Sequence, residues 1–445
     1  MSRVRTKPFL VLAFAGLASL AQAASSPPSV SAARLRADVE KLVSFGTRHT
    51  LSSETDSKRG IGAARKWAEG EFRKTSADCG GCLEITLPDR MVSGDRVPVP
   101  TRIVDVVAIQ RGTERPNEVV IVQGHIDSRV TDILDAKSDA PGANDDASGS
   151  ALVLEAARVL SKRKFPTTIV YALLEGEEQG LYGGKLLADY AKAQGWTVKA
   201  VLNNDIVGNT RGSDGLVVNK YVRVFSEGPR ADGDDKLRAA ARRFGGENDS
   251  PSRNLSRFVA GIAPGIPGGL GTLQVFRADR MGRGGDHLPF ADLGYPAIRF
   301  TEGIENYDHQ HQDLRTENGV TYGDSAAFMD FAYLAKVTRL NIATLTALAS
   351  APMPPEATAE AAVQTFTTVT WKPVAGAVAY RVWRRRTDAR DWSLPMRVSG
   401  NVATTLKLPG VRGDDWFFGV SAVAAGGAES PVSSALPGGR FAPLH

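Results

Sequence analysis

The residues best suited to chemistry are a handful of histidines and several clustered carboxylates. Only six histidines occur in 445 residues: His49, His125, His287, His309, His311 and His445. The apolar run at 119–123 leads into Gly124-His125-Ile126-Asp127-Ser128, which places His125 at the end of an expected strand. Asp127, two residues on, is spaced to accept the ring's second N–H, an arrangement that fixes the tautomer and raises the basicity of a metal-bound imidazole. Next comes Pro141-Gly142-Ala143-Asn144-Asp145-Asp146-Ala147-Ser148-Gly149, opening an expected helix. The apolar run at 167–174 delivers Glu175-Gly176-Glu177-Glu178-Gln179-Gly180, and adjacent carboxylates repel unless solvated or neutralised by a cation. Asn203-Asn204-Asp205 and Asn306-Tyr307-Asp308-His309-Gln310-His311-Gln312-Asp313 follow two further runs. Taken singly, these are a histidine–aspartate pair, a helix cap and a solvated turn. Together they bring two or three imidazoles and at least four carboxylates to one sheet edge. Ligands of nitrogen and oxygen only suit zinc, and an acidic cluster of this size suits two ions sharing a bridging carboxylate.

The elements that must position these residues alternate along the chain. Helical periodicity covers 31–45 and 58–75, with Trp67 and Phe72 as core contacts. Beyond residue 100, expected strands at 104–109, 118–123, 167–174 and 198–202 alternate with helices at 147–161 and 184–193. That order predicts an α/β fold with a mostly parallel sheet sandwiched by helices, whose ligands bind at the carboxyl ends of the strands. The Gly-, Pro- and Arg-rich stretch 211–271 is expected to form substrate-side loops with one helix at 235–244. A strand at 297–300 and a helix at 324–349 complete a catalytic domain spanning 24–350. Pro352, Pro354 and Pro355 mark 351–358 as a stiff linker. Short alternating runs at 367–371, 379–384, 404–408 and 416–423 then predict an all-β sandwich over 359–445. With Trp371, Tyr380 and a late Phe-Phe-Gly-Val-Ser-Ala-Val strand, this tail resembles a fibronectin type III module.

Residues 1–23 read as a secretory signal: Arg3, Arg5 and Lys7, an apolar stretch over 9–20, and a small-residue cleavage site at Ala21-Gln22-Ala23. The apolar stretch is too short to span a hydrocarbon core, which needs about twenty residues. An exported chain, periplasmic or secreted and with no membrane span once mature, is therefore expected. Loss of the leader's three basic residues takes the net charge from +5 to +2. No basic stripe with interleaved aromatics is present, so nucleic acid is not an expected partner. The densest basic run, Arg384-Arg385-Arg386, lies in an expected strand and reads as a solvated face. Cys79 and Cys82 are the only two cysteines, and in an exported protein they are expected to form a short-loop disulfide.

The ordered set of His-x-Asp, Pro-Gly-Ala-Asn-Asp-Asp-Ala-Ser-Gly, Glu-Glu-x-Gly-Leu-x-Gly, Asn-Asp and a late His before Asp resembles the co-catalytic zinc aminopeptidases of peptidase family M28, over roughly residues 35–350. The resemblance implies two zinc ions per chain. His125, Asp145 and Asp205 would hold one, and Asp145, Glu178 and the late histidine the other, with Asp145 as the bridge. Asp145 is chosen because the family's bridging Asp stands four residues before the motif's final glycine, here Gly149. Asp146 is then a neighbour, Glu177 the general base and Asp127 the carboxylate orienting His125. Family members commonly place the late ligand four residues before an Asp, which selects His309 against Asp313, with His311 as the rival. Gly285-Asp286-His287-Leu288-Pro289-Phe290 is similar to the family's Ser-Asp-His-x-x-Phe, with Gly285 replacing Ser, and His287 is expected in cleft architecture or substrate contact. His49 and His445 are expected at the surface. The implied activity is removal of N-terminal residues from peptides or proteins, using a water bridged by the two zincs. The alternatives are a single-zinc glutaminyl cyclase or a carboxypeptidase on the same fold, or a non-catalytic binding protein. A serine hydrolase is not expected, since no Gly-x-Ser-x-Gly elbow stands beside the histidines.

Overall fold

The computed structural model describes residues 30–444; the stretch 1–23 expected to be a secretory signal, and His445, lie outside the described residues. Eight strands form one sheet in the order Glu84–Thr86, Val106–Gln110, Thr167–Leu174, Arg115–His125, Thr197–Asn204, Ala297–Glu302, Tyr221–Ser226, Gly271–Val275. The four central strands, Thr167–Leu174 through Ala297–Glu302, run parallel. Their side chains divide by the two-residue period of a strand: Val120, Val122, Ile169, Tyr171 and Leu173 face one core, and Val119, Ile121, Val170, Ala172 and Leu174 the other. Burial on both faces is why these strands read as continuous apolar runs in the sequence.

The helices Ala32–Val43, Ala147–Leu160, Pro251–Ile262 and Phe331–Ser350 contribute to the larger core, and Tyr182–Ala193 covers the opposite face. The helix Ile61–Asp78 ends at Cys79, which is disulfide-bonded to Cys82. From Arg115–His125 the chain crosses to Thr167–Leu174 on one side and then to Thr197–Asn204 on the other. His125 therefore lies at the reversal of strand order, where open α/β sheets leave a crevice.

The stretch 211–271 is not a set of loops. Besides the expected helix Asp235–Phe244 it contains the strand Tyr221–Ser226 and the helix Pro251–Ile262. This second helix has a clear start: Pro251 occupies its first turn, and Ser250 accepts from Arg253 N at 3.0 Å. The linker is also shorter than expected, because Ala357–Glu360 is already a strand.

The tail pairs a three-stranded sheet, Ala357–Glu360, Phe366–Trp371 and Thr405–Pro409, with a four-stranded one built on Ala379–Arg386 and Trp416–Val423. Val369, Trp371, Tyr380, Val382, Phe418 and Val420 form their common core. The likeness to a fibronectin type III module rests on the sequence pattern alone. Arg385, expected on a solvated face, is buried and pairs with Asp249, just ahead of the helix Pro251–Ile262. Ser434 donates to the other Asp249 oxygen at 2.9 Å, and Trp392 Nε1 donates to Asn254 at 3.0 Å. The tail is thus docked onto an outer helix of the eight-stranded sheet through buried polar groups.

Candidate metal centre

His125 ends its strand fully buried, and its ring is held from both sides. Nδ1 lies 3.1 Å from the Asp127 carbonyl oxygen and 3.4 Å from Asp127 Oδ1. Nε2 faces Asp145 Oδ1 at 3.0 Å and Asp205 Oδ1 at 3.9 Å. Asp127 is fixed in turn by Glu177 N and Glu178 N, which donate to its two oxygens at 3.3 and 3.2 Å. Its shape thus ties the turn after Thr167–Leu174 to the end of Arg115–His125.

Asp145 and Asp146 have divided roles. Asp146 caps the helix Ala147–Leu160 by accepting from Gly149 N at 2.8 Å, and it also accepts from His125 N at 3.0 Å. Asp145 points instead toward the imidazoles, while its own N–H donates to Asp324 at 2.7 Å. Asp324 also accepts from Asn144 N at 2.9 Å, so one buried carboxylate shapes the whole loop. Sequence reasoning missed Asp324, which stands far from every motif.

Of the two late histidines, the structure brings His311, and not His309, beside Asp145 and Glu178. His311 Nε2 lies 2.8 Å from Asp145 Oδ2 and 3.0 Å from Glu178 Oε1. The His309 ring turns away and stacks on Phe328 with centroids 3.8 Å apart. His311 adopts a left-handed backbone conformation, with φ of 55°, and this turn aims its side chain back at Asp145. Counting back from Asp313 cannot reveal such a reversal.

Two groups of three follow: His125, Asp145 and Asp205, and Asp145, Glu178 and His311, each with ligand atoms within 4.8 Å of one another. Asp145 belongs to both. The residues fit zinc on chemical grounds, since every donor is an imidazole nitrogen or a carboxylate oxygen. Glu178 Oε1 is buried and accepts no hydrogen bond, the condition of an oxygen awaiting a cation.

Charge in this region is compensated closely. Burial opposes ionisation of Asp145, but His311 and His125 outweigh it and hold the carboxyl well below its usual range. Burial pushes the Glu177 carboxyl well above its usual range, helped by the charges of Asp205 and Glu178 and opposed by His125. Among the described residues, no hydrogen bond reaches the Glu177 carboxylate. Two arginines that the sequence reading did not single out complete the centre. Arg129 Nε donates to Glu178 at 2.9 Å, and the fully buried Arg299 lies 2.8 Å from Asp205.

His49 and His287 are held within the fold by backbone partners. His49, expected at the surface, is completely buried: Nε2 donates to the Ile133 carbonyl at 2.9 Å and Nδ1 accepts from Leu51 N at 3.0 Å. Its loop runs beneath Asp127, and Thr50 donates to that carboxylate at 3.3 Å. His287 is buried at the start of the helix Leu288–Asp292 and donates to the Ala278 carbonyl at 2.8 Å.

An α/β sheet whose carboxyl edge gathers imidazoles and carboxylates into two overlapping groups defines a protein with a built metal-binding centre. The chain belongs to peptidase family M28, whose family model matches residues 105–329. A protein of Leptosphaeria maculans named a probable zinc metalloprotease is 44% identical over 414 residues, covering 92% of this chain and 95% of that one. One from Pyricularia oryzae with the same name is 44% identical, covering 92% and 83%. Among solved structures, Legionella pneumophila LapA superposes with a TM-score of 0.51 at 18% identity, covering 71% of this chain and 72% of that one. A leucine aminopeptidase precursor of Bacteroides thetaiotaomicron gives a TM-score of 0.50 at 16% identity, covering 72% and 98%. At such identities the structural likeness is one of fold.

Proposed function

We propose that this chain is a zinc metallopeptidase acting as an aminopeptidase, holding two zinc ions through His125, Asp145 and Asp205 and through Asp145, Glu178 and His311. The observation that carries the reading is the sharing of Asp145 by both groups, with Glu177 lining the same cavity and its carboxylate free of hydrogen bonds among the described residues. Family membership and the naming of the relatives support the metal and the hydrolytic chemistry. The shared carboxylate favours a pair of ions over the single ion of a cyclase.

Bound zinc supplies Lewis-acid polarisation of a carbonyl and lowers the pKa of water toward neutrality. The chain's own contribution begins with Glu177. It lines a cavity of about 340 Å³ together with Asp145, Glu178, Asp205 and His311. A carboxylate whose affinity for protons is raised by burial is suited to take the proton of an attacking water. It then returns that proton to the departing amine as the peptide C–N bond breaks. Glu178, by contrast, is held at Oε2 by Arg129 and keeps Oε1, 3.0 Å from His311 Nε2, without a hydrogen bond, which suits it to ligation. Asp127 does not touch substrate; it locks the His125 ring and the Glu177–Glu178 turn together. The carboxylate-rich floor suits a substrate ammonium group, hence a free N-terminus.

Leucine release from the tripeptide Leu-Gly-Gly and from its N-acetylated form tests this reading. The free peptide is expected to be cleaved and the acetylated one spared. Glu177→Ala is expected to lower turnover by roughly 10²- to 10⁴-fold while retaining its zinc. Equal cleavage of the two peptides, or a fully active variant, contradicts it.

A further inference from the structure

Arg277, Arg280 and Arg283 recur at every third position along the loop that leads to His287. Arg280 and Arg283 line the cavity that contains Glu177, and both also line a neighbouring cavity of about 540 Å³. The second cavity therefore continues the first across these two side chains. Its charged lining consists of Arg223, Arg277, Arg280 and Arg283 against a single carboxylate, Glu305.

Arg280 is engaged within the fold through all three nitrogens, donating to Asp279 at 3.0 Å, Glu305 at 3.3 Å and the Gly284 carbonyl at 3.0 Å, so it offers the cavity charge, and the spare donors are those of Arg283 and Arg277. Glu305 is almost wholly buried and is shared by Arg223 at 2.6 Å, Arg283 at 2.7 Å and Arg280 at 3.3 Å. Among the described residues, Arg283 donates only through Nη1, to Glu305 and to Gln310, which leaves Nε and Nη2 without a partner. Its side chain is 31% exposed. Arg277 is exposed and makes no side-chain hydrogen bond among the described residues. Phe225, Phe276 and Tyr307 wall the same cavity, and apolar walls lower the local dielectric and strengthen ionic contacts.

Resting on the aminopeptidase reading, we propose that Arg283 and Arg277, backed by the charges of Arg280 and Arg223, form an anion subsite that receives a carboxylate of the peptide substrate. The cleft then runs from a carboxylate-rich end, which takes the ammonium group, to a guanidinium-rich end, which takes the opposite charge. That polarity matches a short zwitterionic peptide or one with an acidic residue beyond the scissile bond. Arginine is the residue suited to this task, because its planar fork meets both oxygens of a carboxylate.

The test compares Leu-Gly-Gly as free acid and as C-terminal amide, on the zinc-loaded full chain and on Arg283→Ala. In the wild type, kcat/KM for the free acid is expected to exceed that for the amide by on the order of tenfold. In the variant that ratio is expected to fall toward one, with Arg283→Lys intermediate. Leu-Gly-Glu amide against Leu-Gly-Gln amide distinguishes a side-chain carboxylate from a C-terminal one. Calorimetric binding of the same peptides to Glu177→Ala asks the question without turnover. Equal handling of acid and amide in both measurements overturns the subsite. Tighter binding of the acid with no cleavage by the wild type overturns the aminopeptidase reading and leaves the subsite standing.

Discussion

At the scale of single residues, the centre depends on which groups face one another, and sequence spacing settles only part of that. His125, Asp145, Glu178 and Asp205 were legible because each terminates or follows a central parallel strand, so their common edge followed from topology. The choice between His309 and His311 was not legible, because a single left-handed residue inverts the direction of the turn. The consequence is measurable. His311→Ala is expected to lose one zinc of two, whereas His309→Ala forfeits only its stacking on Phe328 and keeps both. Zinc analysis of the two purified variants decides the matter, and the opposite pattern restores His309 as the ligand. Arg129, Arg299 and Asp324 carry no motif: Arg129 directly follows the His125–Ser128 stretch without a pattern of its own, and the buried Arg299 and Asp324 act through contacts that only the fold creates.

At the scale of elements, buried strands announce themselves and amphipathic pieces in unusual composition do not. Thr167–Leu174 was read to the residue because both its faces are buried. The helix Pro251–Ile262 carries arginines at 253 and 257, which suggest solvent in the sequence, but Arg253 is buried against Ser226 and Phe276 and Arg257 against the Arg390 carbonyl of the tail. Lys199, inside the strand Thr197–Asn204, offers a test of how such buried charge is managed. Its ammonium donates to Leu348 and Ala351 carbonyls at 3.2 and 2.6 Å, closing the end of the helix Phe331–Ser350. Burial lowers its pKa from 10.5 to about 8, with Glu118 opposing. Between those two values the unfolded chain holds more protons than the folded one, so this group makes stability rise with pH. The slope it contributes is at most about 1.4 kcal/mol per pH unit. Urea unfolding of the wild type and Lys199→Met at pH 8 and pH 10 is expected to show the difference shifting in favour of the wild type at the higher pH. A difference that does not move contradicts the depressed value.

At the scale of the whole molecule, the change of pattern after residue 350 marks a second unit, while the contacts that hold it are visible only in the fold. Asp249 joins the two parts, accepting from Ser434 and pairing with the buried Arg385, with Arg257 at 3.6 Å. Removing one partner of a buried pair costs about 3–5 kcal/mol. Asp249→Ala is accordingly expected to lower the melting temperature of a single calorimetric transition. A tail that melts separately, with the main transition unmoved, argues for a loosely tethered appendage. No helix among the described residues is long and apolar enough to cross a membrane. The central claim remains that one carboxylate serves two metal ions, and zinc stoichiometry of the full chain beside Asp145→Ala tests it most directly. The account predicts two zincs in the wild type and the loss of both sites in the variant, while Asp205→Ala and His311→Ala each lose one; a single zinc in the wild type, or an Asp145→Ala chain with its zinc complement intact, contradicts it.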